Sequence, residues 1–435
     1  MDMALLAALI MFGGVVFFLV IGTPISIAVG ISSFAAMLVI LPMKGAMLTS
    51  AQRMFVGLDS FALLAIPFFI LAGNIMNNGG IAIRLINFSK IISGFFPGSL
   101  AQTNVVSNML FGSISGSGVA SAAAVGGIMS PIQKKEGYDP AFSTAVNIAS
   151  APTGMLIPPS NTLIVYATVA GSVSISALFM GGYLPGILWG LSVMIMAGIM
   201  AKRRGYIAKH SMTLADCCKV TIDAIPSLSL IVVVIGGILG GVFTATEASA
   251  IAVVYSLILS LGYRSLDIKK LPEIFLSTAK MSAIVIFMLA TSSIMSWVMA
   301  FTQIPAMIAD NLLSVTDNPI IILLIINVIL LFVGTFMDPT PAVLIFTPIF
   351  LPICMALGMD PVQFGILLVF NLSLGTITPP VGPILFTGCK VSGISIDSVV
   401  RTLLPFFFAI FLVLMLVTYV PAISMAIPEM MGLVG

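Results

Sequence analysis

Two stretches of this chain repeat one another at a fixed offset of 221 residues, and what they share shapes the backbone rather than supplying reactive groups. Gly137, Asp139, Pro140, Gly154, Pro158 and Pro159 return as Gly358, Asp360, Pro361, Gly375, Pro379 and Pro380, and Pro131 returns as Pro352. The apolar residues between these fixed points are freely exchanged. Glycine admits dihedrals closed to other residues and proline removes a backbone donor, so the repeated positions mark places where a helix must stop, turn or break. Duplicated apolar segments interrupted by Gly and Pro point to the binding site of a transporter built from two repeats.

The surroundings of these breaks are lipid. The chain has 435 residues, 60% of them hydrophobic and 7% charged, with a mean hydropathy of +1.22, which defines an all-α polytopic membrane protein. Its longest polar stretches, near 202–223 and 264–280, are too short for an independent domain. The run from Met3 to Val20 has no basic residue before it, so it reads as a first membrane helix rather than a cleaved signal, with the mature chain starting near Met1. A net charge of +2 gives no basic excess for nucleic acid. Cys217, Cys218, Cys354 and Cys389 form no ligand spacing, so neither a disulfide nor a cysteine-bound metal is expected, and no cofactor is implied.

A spanning helix needs about 20 residues. On that scale we read ten spans, near 4–21, 24–42, 61–78, 140–169, 178–200, 224–243, 245–263, 281–300, 361–388 and 403–427. Two further apolar regions, 99–136 and 319–357, are interrupted at Gly112–Gly118 and Gly334–Pro341 and read as re-entrant hairpins. In this arrangement every Lys and Arg except Lys44 and Arg53 faces the cytoplasm, as the positive-inside rule demands, and both termini lie outside. The first repeat covers 1–205, with scaffold helices in 1–80, hairpin 99–136, broken helix 140–169 and helix 178–200. A cytoplasmic linker follows at 206–223. The second repeat, 224–435, has scaffold helices in 224–300, hairpin 319–357, broken helix 361–388 and helix 403–427. Five spans per half is an odd number, so the second repeat is inverted relative to the first and the two hairpins approach the midplane from opposite faces.

The first hairpin tip, Gly112-Ser-Ile-Ser-Gly-Ser-Gly118, has poor helix propensity and should unwind. Unwound carbonyls inside lipid survive only when buried in protein or lining a wet cavity, and with the Ser115 and Ser117 hydroxyls they are hard oxygen ligands for a small cation. Beside it, Pro152, Gly154, Pro158 and Pro159 forbid a continuous helix, so a half-helix beginning near Ser160 and Asn161 would aim free N–H groups into the break and attract an anion. A simple proline kink is the plainer reading. In the second copy, Gly334-Thr-Phe-Met-Asp-Pro-Thr340 faces Leu374-Gly-Thr-Ile-Thr-Pro-Pro380. Asp338 lies in an otherwise apolar hairpin, where an ionisable group is by default functional, the alternatives being a cap for the helix starting at Pro339 or a protonated acid. Glu247 reads as a cap of the helix after Thr244. Asn74, Asn77 and Asn78 precede Gly79-Gly80 and end a helix. His210, the single histidine, belongs to the basic linker.

With Ser113-Ile-Ser-Gly-Ser-Gly-Val-Ala120, Gly154-Met-Leu-Ile-Pro-Pro-Ser-Asn161, Thr244-Ala-Thr-Glu-Ala248, Gly334-Thr-Phe-Met-Asp-Pro-Thr340 and Gly375-Thr-Ile-Thr-Pro-Pro380, the chain resembles, over essentially its full length, the large membrane subunit of tripartite ATP-independent periplasmic (TRAP) transporters. The resemblance implies a sodium-driven secondary importer of carboxylate-bearing solutes in a bacterial inner membrane. It also implies an elevator of transport and scaffold domains, a small four-helix membrane subunit and a periplasmic binding protein as partners. By similarity, one sodium site would use Ser115, Gly154, Ile157 and Pro159, and the other Gly334, Asp338, Gly375 and Thr378. Substrate contacts would include Ser117, Ser160, Asn161 and Asp338. Many relatives carry Asp where this chain has Ser121, so an ion-binding role for that acid has no counterpart here. The chain looks more like the sialic-acid branch than the C4-dicarboxylate branch. The alternatives are the same mechanism for a C4-dicarboxylate or other organic acid, and a channel or a binding-protein-independent sodium symporter.

No Gly-Lys dipeptide is present, which excludes a Walker A loop within the chain. No histidine accompanies the Ser-rich tip and there is no pair of membrane acids, so neither kind of intramembrane protease is expected. The crossing scheme predicts that cysteines introduced at Lys44 and Lys269 are labelled by impermeant reagent from opposite sides; labelling from one side refutes it.

Overall fold

The fold begins with signals that start and stop helices. In a computed structural model describing residues 3–171, 173–206, 213–316 and 318–434, the repeated Gly-x-Asp-Pro is a helix end followed by a helix start. Gly137 and Gly358 are left-handed, with φ of 80° and 85°. Asp139 then accepts a hydrogen bond from the Ala141 N–H (3.1 Å) and Asp360 from that of Val362 (2.7 Å). Pro140 and Pro361 occupy the first turn, where no donor is lost. Asn318-Pro319 and Asp338-Pro339 use the same device.

The described residues contain no strand. The first half runs through α1 (Met3–Val20), α2 (Ile25–Ile40), α3 (Met43–Leu58), a 3-10 turn at Phe61–Leu64, α4 (Ala65–Asn78) and α5 (Ile81–Ser93). The hairpin α6 (Ser99–Ser115) and α7 (Gly118–Lys135) follows, then α8 (Pro140–Ser150), a 3-10 turn at Ala151–Met155, α9 (Asn161–Ala170) and α10 (Ile175–Arg203). The second half comprises α11 (Leu214–Leu239), α12 (Ala245–Gly262), α13 (Leu271–Phe301), α14 (Ile304–Val315), the hairpin α15 (Pro319–Gly334) and α16 (Pro339–Ala356), α17 (Pro361–Gly375), α18 (Pro383–Ser392), α19 (Ile396–Tyr419) and α20 (Pro421–Met430).

Several boundaries differ from the sequence reading. Helix α11 starts at Leu214, where Thr213 accepts the Asp216 N–H, so the segment read as linker 206–223 is helical in its second part. Lys209 and His210 lie outside the described residues. Helix α13 starts at Leu271 rather than near 281, preceded by a turn that Asp267 caps. The last apolar run divides before Pro421, which cannot continue the ladder of α19. Helices α3, α5 and α14 have no counterpart among the spans, because each carries polar interruptions. Among the described residues, eight helical stretches are long and apolar enough to cross a membrane. That length test counts the hairpin arm α16 and passes over the shorter α2 and the broken elements, so it differs from the ten spans read above.

Packing exchanges elements between the halves. Helix α9 lies along α16 and α18 along α7, while α8 meets α19 and α17 meets α10. This reciprocal pairing is what a pseudo-two-fold axis between repeats requires. Large buried side chains join the halves: Tyr166 on α9 donates to the Pro361 carbonyl (2.6 Å), and Trp189 on α10 packs on Phe370 of α17 while donating to the Ala149 carbonyl (2.8 Å). Around this centre, α2 and α3 pack on α13, and α4 on α12.

Each hairpin is also held to its own broken element by buried amides. Asn108 of α6 donates to Asn147 Oδ1 (3.1 Å) and Ser150 Oγ (2.8 Å) on α8. In the other half Asn371 of α17 donates to Asn327 Oδ1 (2.6 Å), and Asn327 donates to Thr418 Oγ1 of α19 (3.0 Å). Interhelical hydrogen bonds in membranes contribute about 0.6 kcal/mol on average and up to about 1.7. Asn371→Leu should therefore lower the thermal unfolding midpoint in detergent measurably, by the equivalent of roughly 1 kcal/mol; an unchanged midpoint would show that the amide pair does not hold the hairpin.

Candidate functional site

Helix α6 stops at Ser115 because Gly116 turns left-handed (φ 62°). Ser117 then caps α7, its Oγ accepting the Ala120 N–H at 3.3 Å. On the neighbouring element the chain leaves α8 at Ser150, makes a 3-10 turn through Met155 and resumes helix only at Asn161. The Pro158–Pro159 and Pro379–Pro380 bonds are both cis. In the second half α17 ends at Gly375 and α18 begins at Pro383 after left-handed Gly382 (φ 44°).

Two glycine contacts place tip against break. A methyl group on Gly112 would strike Gly154, and one on Gly375 would strike Gly334, so in both halves the hairpin and the broken helix touch backbone to backbone. Gly112, Gly154 and Gly375 are each required by the opposing main chain, and a Cβ on Gly334 would lie 3.1 Å from the Gly375 Cα. Gly116 sits against the Pro159 carbonyl and the Asn161 amide, at 2.9 and 3.2 Å from where its Cβ would be. Gly382 donates its N–H to the Thr335 carbonyl (2.9 Å), closing the second tip onto its break. The Thr376 and Thr378 carbonyl oxygens converge on Gly382, each 2.9 Å from the position of its absent Cβ.

The residues named from sequence fall into distinct environments. Gly334 and Gly375 are in contact. Thr378 donates its hydroxyl to the Leu374 carbonyl (2.8 Å). Asp338 is exposed at the start of α16 and accepts the Thr340 N–H (3.2 Å), so it caps that helix. In the first half Ser115 is buried, with its hydroxyl 3.5 Å from the Ser117 carbonyl. Ile157 turns its side chain toward Gly186 of α10. Ser160 is fully buried, donating to the Met155 carbonyl (2.5 Å) and accepting the Leu163 N–H (3.3 Å), so its hydroxyl serves as cap. Asn161 beside it keeps a buried Oδ1 without a hydrogen-bond partner. Glu247 and Thr244 form a complete capping box, each accepting the other's backbone N–H (2.8 and 3.2 Å).

Among the described residues no cluster of three or more His, Cys, Asp or Glu could hold a transition metal. The donors on offer are carbonyls, hydroxyls and one carboxylate, a set suited to a hard cation. Sequence reading missed Gly112 as a contact residue, together with Thr335 and Gly382. The signal was available in the spacing: Gly112 precedes Gly154 by nearly the same interval as Gly334 precedes Gly375.

Paired hairpins leaning on paired broken helices define a secondary-transporter type of membrane fold. A solved transporter of Alcanivorax borkumensis, YdaH, is similar in fold, with a TM-score of 0.61 at 15% identity over 86% of this chain and 88% of that one. Residues 12–423 match the family described as tripartite ATP-independent periplasmic transporter, DctM component, and the chain belongs to that family. It is 55% identical over 422 residues to the protein YgiK of Salmonella typhimurium, covering 97% of each. It is 37% identical over 382 residues to the sialic acid TRAP transporter large permease protein SiaM of Vibrio cholerae, covering 88% of this chain and 89% of that one. A third relative, the isethionate TRAP transporter permease protein DctMQ of Oleidesulfovibrio alaskensis, is 39% identical over 96% of this chain, which spans 65% of its length.

Gly154→Ala and Gly375→Ala should each lower the unfolding midpoint by the equivalent of about 1–3 kcal/mol, because the added methyl meets backbone that cannot step aside. Gly137→Ala, with open space around its Cβ, should cost only the left-handed penalty of about 1 kcal/mol. Equal shifts for all three would show that the close approach carries no special weight.

Proposed function

We propose that this chain is the large permease subunit of a sodium-coupled importer of organic acids, working with a small membrane subunit and a periplasmic binding protein in a bacterial inner membrane. The observation that carries the reading is the family match over residues 12–423, which includes both hairpins and both breaks. The coupling ion is assigned to the two tip–break contacts: Ser115, Gly154, Ile157 and Pro159 in the first half, and Gly334, Asp338, Gly375 and Thr378 in the second. The solute is assigned to the space between them, bounded by Ser117, Ser160, Asn161 and Asp338, with the unpartnered Asn161 oxygen and the first N–H groups of α9 as polar contacts.

Sialic acid is our preferred solute, with a C4-dicarboxylate as the alternative. Relatives of nearly equal similarity carry sialic acid and isethionate in their names, so overall identity does not separate them. Elevator movement of hairpins and broken helices against α1–α4 and α11–α13 would alternate access, with both termini outside.

The test is reconstitution with the small subunit and candidate binding proteins, measuring uptake of N-acetylneuraminate and succinate with and without a sodium gradient. Uptake should require inward sodium, and Asp338→Ala should abolish it while the complex still assembles. Normal sodium-dependent uptake by Asp338→Ala would remove Asp338 from the mechanism, and gradient-independent uptake would refute coupling.

A further inference from the structure

A cavity of about 880 Å³ lies away from the tip glycines and opens between α3 and α13 on one wall and α9 and α16 on the other. That volume is within the roughly 300–1,000 Å³ range of small-molecule sites. Arg53 on α3 is the one basic residue in its lining, and among the described residues it makes no ion pair or hydrogen bond. On the same wall α13 presents Ser292, Ser296 and Trp297. Ser292 is only 4% exposed and its Oγ has no partner. The Ser293 hydroxyl, by contrast, is occupied by the Leu289 carbonyl. Asp59 lies on the same lining without pairing to Arg53.

An unpaired guanidinium and an unsatisfied buried hydroxyl facing one cavity are unused recognition groups. A guanidinium fork matches the two oxygens of a carboxylate. With a single cation present, a second carboxylate on the ligand would have no cationic partner and would face Asp59, whereas Asp59 and the serines can accept from hydroxyl, amide or amine donors. The cavity also reaches toward the assigned solute site. Leu344 in its lining is six residues along α16 from Asp338, about 9 Å at helical rise.

We propose that this cavity is a second, waiting site for the solute, in which Arg53 binds a single carboxylate and the Ser292 and Ser296 hydroxyls with Asp59 bind its polar remainder. The assignment rests on the organic-acid reading above and deepens it, from organic acid to a monocarboxylate rich in hydrogen-bonding groups.

The site can be tested without transport. In the complex with its small subunit in lipid nanodiscs, with Cys217 and Cys218 replaced by Ser and Cys354 and Cys389 left buried, Ser296→Cys is labelled by an anionic sulfonate-bearing or a cationic trimethylammonium methanethiosulfonate. The ratio of anionic to cationic labelling rates should fall about tenfold on adding Arg53→Gln and recover with Arg53→Lys, since a fixed charge in a cleft concentrates its counter-ions. Gluconate, a polyhydroxy monocarboxylate, should slow labelling when Arg53 is present and fail to do so in Arg53→Gln. An unchanged ratio, absence of gluconate protection, or labelling only by a lipid-soluble maleimide would overturn the proposal, the last by showing that lipid fills the space. A complex that passes this test yet takes up no solute under a sodium gradient would sink the coupling and leave the site standing.

Discussion

Peptide groups in a bilayer have no water to fall back on, and an unmet one costs several kcal/mol. Everything specific about this fold follows from how two interrupted helices meet that requirement. At residues 151–160 and 376–382 the helical ladder is lost, and the freed groups are covered by a hairpin pressed close enough that only glycine fits at the contact, Gly112 on Gly154 and Gly334 on Gly375. Closeness brings the two backbones together: the Thr335 carbonyl takes the Gly382 N–H, and the Ile384 and Leu385 N–H groups return to the Thr376 carbonyl. The breaks are therefore structured loops in a protein-lined environment, held in place by neighbours from both halves.

That support is reciprocal. Since α9 rests on α16 and α18 on α7, the half-helix leaving each break is positioned by the hairpin of the opposite repeat. Tyr166 to Pro361 and Trp189 to Phe370 add polar and aromatic ties across the same seam. The half-helix leaving each break is thus in packed contact with the hairpin of the opposite repeat.

The breaks were legible in the sequence because proline and glycine act locally: Gly137-x-Asp139-Pro140 encodes a stop, a cap and a start whatever surrounds it. The capping box at Thr244 and Glu247 was legible for the same reason. What escaped the reading depended on distant partners. Gly112 reads as one more residue of a flexible tip until Gly154 is placed against it. Asn108, Asn147, Asn327 and Asn371 look like misplaced polar residues in apolar helices until each is seen to satisfy another. The starts of α11 and α13 were placed about ten residues late, because hydropathy marks where lipid begins while Thr213 and Asp267 cap helix well before that point. In the sequence Arg53 stands out only as an exception to the cytoplasmic placement of basic residues, since a lone arginine acquires a binding role only from the cavity wall it stands on.

The two halves share their backbone devices but not their side chains, and the difference bears on how charge is handled. At the second tip Asp338 caps α16 with a carboxyl group, and in the break beside that tip the Thr376 and Thr378 carbonyls converge on Gly382. The first tip offers only serine hydroxyls and carbonyls, and α9 begins beside it with an uncharged Asn161 and a Ser160 that spends its hydroxyl on capping. A helix N-terminus with no acid nearby carries a net positive field. The repeat gives two equivalent frames for unwound backbone, and the residues outside the repeat pattern set them apart, a carboxylate at the second tip against hydroxyls and an amide at the first. Under the function proposed above, the two frames would therefore hold the same coupling ion with different donor sets, one including the Asp338 carboxylate and the other built from hydroxyls and carbonyls alone.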